Sequence, residues 1–304
     1  MGVLILTISA ITKEGLPVPH TRRMSLEDQV KSNLGQKKAF GSSRHDGKAN
    51  GTAGDKIYSY GTMNNYVKTG VQFAKWANEK FGETKVSKMD VYVRDYIQQM
   101  RDDGKSAYTQ KSALSGLRKL FGSENECLKD IRTDARHRTD ITRSRLDTEY
   151  ARHFSESKNS ELVNFCRKTG LRRSEVENLK GDRVIYKGDQ AYIQGVEGKG
   201  GRVRDVRILG NDQAVIDRIQ NTAADDLVWG RVHHAANIHG YRADYAQELY
   251  KSIAREEIPR DEQYHGRADC AGKTYDRLAL KEVAENLGHS RVNVCVQNYL
   301  YDLD

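Results

Sequence analysis

The sequence predicts a mainly α-helical protein with a small antiparallel β-sheet, divided into an all-helical unit and a mixed α/β unit. Three observations carry this. The only prolines, Pro17, Pro19 and Pro259, leave His20 to Ile258 free of the residue that breaks helices. Apolar residues recur at helical spacing through much of that stretch, and glycines close the runs. Between Val184 and Leu209 the pattern changes to short apolar runs joined by Lys-Gly-Asp and Gly-Lys-Gly-Gly turns, which is hairpin chemistry. At 304 residues the chain exceeds a usual single domain, so two units that each bury a core are expected.

Residues 1–54 read as an N-terminal extension, partly flexible. Val3 to Ile11 is apolar but too short to span a bilayer, has no basic residue ahead of it, and makes a poor signal peptide. Ser25-Leu-Glu-Asp28 resembles a capping box for a helix with Leu26, Val30 and Leu34 on one face. Phe40 to Asp55 is rich in Gly, Ser, Ala and Lys and reads as a flexible basic connector. Residues 55–128 predict a helical bundle. Its first stripe runs from Tyr66 to Phe81 with Gly82 as a stop, and Ser87-Lys-Met-Asp90 reads as the cap of a second helix carrying Val93, Ile97 and Met100. The third starts near Ser106 and ends at Gly122. Lys105, Lys111, Arg118 and Lys119 are expected on one outward basic face, which suits a DNA backbone and equally an ordinary solvated helix.

Residues 129–147 read as a basic linker, with Arg132, Arg136, Arg138, Arg143 and Arg145 against Asp134 and Asp140. Residues 148–304 form the second unit. A helix from Ser160 to Lys168 ends at Gly170, Arg172 and Glu175 follow, and strands are expected at Val184–Tyr186, Ala191–Val196 and Val203–Leu209. Helices then cover Asp212–Ile219 and Ala235–Arg255. Glu256 to Asp276 is a surface excursion, and Leu278 to Leu287 is a helix capped by Gly288.

Composition narrows the partners. A net charge of +8 suits a polyanion, since each neutralised phosphate releases counterions, though a soluble basic protein carries such charge too. Cys127, Cys166, Cys270 and Cys295 are scattered and form no CxxC pair, which argues for a reduced cytoplasmic protein without a zinc ribbon or disulfide framework. His233, His234, His239 and His265 lack a carboxylate at a ligand spacing and do not make a metal site.

The chemistry lies in an ordered series of basic residues that ends in a tyrosine. Arg172 stands in Thr-Gly-Leu-Arg-Arg-Ser-Glu, Lys199 in Gly-Lys-Gly-Gly-Arg, His239 and Arg242 in His-Gly-Tyr-Arg, and His289 in Leu-Gly-His. Tyr299 follows ten residues later. Two arginines, a lysine and two imidazoles can surround one phosphodiester while a phenol attacks phosphorus, a set that requires no metal and no nucleotide cofactor. Taken singly, Arg172 could be a salt bridge to Glu175, Lys199 a surface hairpin lysine, and Tyr299 a buried structural tyrosine. In order and context the series resembles the catalytic domain of the tyrosine recombinases, the phage and transposon integrase family, across residues 150 to 301. The segment ahead of it resembles that family's helical core-binding domain.

The resemblance implies that Arg172 and Arg242 hold the nonbridging oxygens, with Glu175 orienting Arg172. Lys199 would protonate the leaving 5′-oxygen, and Arg202 would contact DNA. His239 would exchange protons, His289 would hydrogen-bond the phosphate, and Tyr299 would be the nucleophile, with Tyr301 as its rival. Two departures stand out: Ala243 replaces a histidine often found after the second arginine, and the nucleophile lies one residue beyond the spacing of many relatives, which would fall on Asn298. The implied protein is a site-specific recombinase of a bacterial mobile element, acting as a homotetramer on two synapsed double-stranded DNA sites through a 3′-phosphotyrosine and a Holliday junction. Accessory DNA-bending or directionality proteins are possible partners, and a membrane is not. A type IB topoisomerase-like enzyme and a DNA-binding protein that has lost catalysis remain alternatives. With only Leu300 to Asp304 after Tyr299, coupling between subunits is expected to fall to Val3–Ile11 or to the helix after Met24.

Overall fold

The computed structural model describes residues 24–137, 140, 154–198 and 201–303, so the apolar segment Val3–Ile11 lies outside the described residues. The chain divides into two compact units between Ala135 and Arg136.

The first unit is a helical bundle. Ser25 caps α1 (Leu26–Gly35) by accepting the amide of Asp28, and α1 buries Val30 and Leu34 against α3 (Tyr60–Phe81). Gly70 of α3 permits the approach, because a Cβ there would come within 2.7 Å of Val30. Helix α1 is therefore a member of the bundle and not part of a detachable extension. The expected connector also carries structure: α2 (Arg44–Ala49) is capped by Ser43, and Lys38 pairs with Ile57, which is buried. Helix α3 ends at Gly82 with φ of +69°, a conformation that favours glycine. Ser87 does not cap the next helix, since residues 86–92 form two 3-10 turns before α4 (Val93–Asp102). Ser106 caps α5 (Ala107–Phe121), and Asn125 caps α6 (Glu126–Lys129). Leu128 and Ile131 complete the core. Asp134 accepts hydrogen bonds from Gln110 and Arg101, so the linker expected at residue 129 starts only beyond this anchor.

The second unit is mixed. Helix α7 (Ser160–Thr169) ends at Gly170 with φ of +59° and packs along α10 (Ile238–Ile253), which Asn237 caps. Helix α8 (Arg173–Glu177) precedes the antiparallel sheet of β1 (Val184–Lys187), β2 (Gln190–Glu197) and β3 (Val203–Arg207), in that order. Ile185 faces Tyr192 and Ile193 faces Val206, with an irregularity before Val196 that bends the β2–β3 hairpin. Helix α9 (Gln213–Gln220) packs on α7, and β3 lies against α11 (Arg277–Asn286). The surface excursion contains a two-stranded hairpin, β4 (Gln263–His265) with β5 (Thr274–Asp276), whose last residue caps α11. After Gly288 the chain forms α12 (Val292–Asn298), which ends at Tyr299. Among the described residues no helix is long and apolar enough to cross a membrane. The result is the mainly α fold with a small antiparallel sheet that the periodicity predicts.

Candidate active site

Four separated segments meet in the second unit. Arg172 is the residue before α8, and its amide donates to Glu175 Oε2 at 2.9 Å, so a carboxylate three residues on fixes the backbone at the arginine. The Arg172 side chain, one quarter exposed, places Nη1 2.6 Å from Glu175 Oε1 and Nη2 3.0 Å from the carbonyl of Leu287. His239 and Arg242 lie three apart on the first turns of α10 and so share a face. Arg242 is 2% exposed. Its Nη1 donates to the carbonyl of Gly170, its Nη2 to that of Leu287, and its Nε to Tyr299 Oη at 3.2 Å. Burial works against its charge, while Tyr299 and Glu175 favour it. Both guanidinium groups thus converge on the carbonyl of Leu287, just past α11, where the helix dipole is negative.

Tyr299 is 5% exposed, its ring 5.5 Å from that of His239, 5.7 Å from that of His289 and 5.6 Å from the Arg242 guanidinium carbon. The chain beyond it is tied down: Leu300 is fully buried, Gln247 donates to the Tyr299 carbonyl, and Lys273 donates to the carbonyls of Tyr301 and Leu303. Tyr301 is thereby held by its backbone near β5, while Tyr299 faces Arg242. Arg172, Arg173, His239, Arg242 and Tyr299 line one open cleft of about 480 Å3. His289 carries a buried Nε2 with no hydrogen-bond partner. Burial and the nearby charges of Arg242, Arg172 and Arg204 push its pKa down to about 4, so a polar atom is left waiting among cations.

Glu175 is the common anion. Burial favours its neutral acid, but hydrogen bonds and charge from Arg204, the Arg172 amide and the Arg242 charge outweigh this and hold it at about 2. Two further arginines take part that the sequence motifs do not single out. Arg204, on β3, donates to Glu175, and Arg173 donates to the carbonyls of His233, His234 and Ala236 and so sets the loop ahead of α10. The doubled arginine in Leu-Arg-Arg-Ser-Glu is the available signal for Arg173.

Lys199 lies between β2 and β3 and outside the described residues, as do Arg138, Arg143 and Arg145. Lys105, Lys111, Arg132, Arg136 and Arg202 are exposed. Arg118 and Lys119 do not fit the expected outward basic face. Arg118 donates to the carbonyls of Leu128 and Ile131, and Lys119 to those of Gly54 and Lys56, where burial lowers its pKa. Their role in the structure is to tie chain segments together. Among the described residues no three His, Cys, Asp or Glu side chains gather as metal ligands would.

The fold has relatives among solved structures. The chain is similar to the XerH site-specific recombinase bound to palindromic difH substrate, a post-cleavage complex, at 15% identity and a TM-score of 0.54, over 91% of this chain and 93% of that one. It is also similar to the Tn1549 transposon integrase in complex with circular intermediate DNA, at 11% identity and a TM-score of 0.51, over 91% and 95%. No family model and no curated protein sequence matches the chain. Two units in this order, with this sheet and this run of helices, give the chain the fold of the tyrosine site-specific recombinases.

Proposed function

We propose that this protein is a tyrosine-type site-specific DNA recombinase that cuts and rejoins double-stranded DNA through a 3′-phosphotyrosine. The observation that carries the reading is the hydrogen bond from Arg242 Nε to Tyr299 Oη beside Arg172, with both histidine rings against the same phenol. A phosphodiester entering the cleft would set its nonbridging oxygens on Arg172 and Arg242, whose charge offsets that of the pentacoordinate transition state. Tyr299 Oη attacks phosphorus, its proton passing to His239. The P–O5′ bond breaks, and Lys199 supplies the proton for the leaving 5′-oxygen. His289 Nε2 donates to a nonbridging oxygen as the neutral tautomer protonated there. One phosphodiester replaces another, so the 5′-hydroxyl of a second strand can reverse the step and leave recombined DNA. Exchange between two sites needs four active sites, hence a homotetramer passing through a Holliday junction. The setting is a mobile genetic element, with integration or transposition as the outcome and accessory DNA-bending proteins as partners. Arg202 and the exposed Lys105, Lys111, Arg132 and Arg136 are assigned to the DNA backbone.

The test works without a defined target sequence. A pool of duplexes of randomised sequence is incubated with the protein, covalently trapped DNA is recovered and sequenced, and the adduct is located by mass spectrometry. The expected adduct is on Tyr299, and Tyr299→Phe should abolish it with DNA affinity nearly intact, since only a hydroxyl is lost. An adduct on Tyr301 would reassign the nucleophile. DNA binding without any adduct would leave a non-catalytic DNA-binding protein.

A further inference from the structure

We infer that Arg204 is a positioning residue for strand cleavage, acting through Glu175 on Arg172; the inference rests on the recombinase reading above. The Arg204 side chain is 7% exposed, too deep to reach a DNA phosphate. Its Nε donates to the carbonyl of Asn286 at 2.7 Å, and Nη1 and Nη2 donate to the two oxygens of Glu175 at 3.2 and 2.9 Å. Two glycines wall it in: a Cβ at Gly198 would stand 3.0 Å from Nη1 and one at Gly288 3.1 Å from it. The guanidinium is thus fixed as a bidentate partner of a carboxylate that is itself 2% exposed.

This arrangement governs how much of the Arg172 charge is spent at home. Glu175 Oε1 also receives Arg172 Nη1 at 2.6 Å, while Arg172 Nη2 stays on the carbonyl of Leu287 beside Arg242. A buried carboxylate must be paired. With Arg204 gone, Glu175 would turn both oxygens onto Arg172, neutralise it and draw it off Leu287. Arg204 therefore takes up most of the Glu175 charge and keeps Arg172 on Leu287, aimed for the scissile phosphate. Lysine, a point charge, cannot span both carboxylate oxygens and substitutes only in part.

The experiment uses the full chain and a duplex recovered by covalent trapping, in single-turnover cleavage at saturating protein. A matched duplex carries a neutral methylphosphonate at the scissile position. Arg204→Met should cleave normal DNA about a hundredfold more slowly, as expected for a misplaced catalytic group, with unchanged DNA affinity. On the methylphosphonate, which lacks the charge that Arg172 offsets, the loss should shrink to about tenfold or less. The double variant Arg204→Met with Glu175→Gln should be no slower than Arg204→Met alone, because the two act as one unit. Equal losses on both duplexes, or losses that multiply in the double variant, would overturn the positioning role. If Arg204→Met fails to fold, Arg204→Lys carries the same comparison, with a smaller loss on normal DNA. A wild-type protein that traps no DNA removes the recombinase reading itself, whereas an active wild type with a fully active Arg204→Met removes only this inference.

Discussion

Glu175 and His289 make the candidate site sensitive to acid in different ways. The Glu175 carboxyl sits at about 2 against an ordinary 4.5, so its stabilisation is fully present above about pH 4.5 and is lost as pH falls toward 2. A depression of that size corresponds to about 3 kcal/mol. The urea midpoint of the wild type should drop across this window, and Glu175→Gln, less stable above about pH 4.5, should show a shallower drop so that the two converge toward pH 2. His289 titrates in the free protein near 4 and is neutral at neutral pH. A DNA phosphate brings negative charge beside Arg242 and Arg172, two of the cations that lower the His289 pKa, so NMR titration of the His289 ring should give a higher pKa with DNA than without. Identical titrations would mean that no phosphate reaches the ring. The five residues that meet here, Arg172, His239, Arg242, His289 and Tyr299, are legible in the sequence because each sits in a short local motif. Arg204 is not, since its role depends on a carboxylate 29 residues away in sequence. The carbonyl of Leu287, 115 residues from Arg172, is equally invisible because any residue can supply one.

Elements are legible wherever glycine or a capping side chain marks an end. Ser25, Ser106, Gly82, Gly170 and Gly288 all bound helices. Helix α12 escapes because Val292, Val294 and Val296 alternate like a strand, and only packing of Cys295 and Val296 into the core selects the helix. The β4–β5 hairpin escapes because three-residue strands carry too little pattern to register. Gly170 is the most constrained of the helix ends. It has a left-handed φ, a Cβ would stand 2.3 Å from the Tyr245 ring, and its carbonyl accepts from Arg242. Gly170→Ala combines backbone strain with overpacking and should cost about 3 kcal/mol or more. Chemical denaturation measures this, and a loss below about 1 kcal/mol would mean that Tyr245 yields easily.

Across the whole chain, the placement of α1 decides which truncations are meaningful. Val30 and Leu34 are fully buried, each contributing roughly 1.5–3 kcal/mol. Deleting residues 1–54 should therefore unfold the helical unit, as followed by circular dichroism, whereas deleting residues 1–23 removes none of these buried contacts. The shorter deletion is the clean test of subunit coupling through the N-terminus. Intact folding with lost tetramer formation on DNA, measured by light scattering, would support that role, and unchanged assembly would eliminate it. Helix α1 buries Val30 and Leu34 in the bundle and leaves Glu27, Asp28, Lys31 and Ser32 exposed, so its part in such a contact is tested by substitutions on that face and not by deletion.

The carbonyl of Leu287 has a consequence for the cell that makes this protein. Arg172 and Arg242 come from segments far apart in sequence and are brought side by side by an acceptor from a third. Until that third segment has docked, the two guanidinium groups share only the charge of Glu175 and lack the acceptor that sets them side by side before the phenol of Tyr299. If the protein is the recombinase proposed above, a chain in which that segment has not docked would lack the assembled site. The ability to break DNA would then depend on the same long-range contacts that hold the fold together.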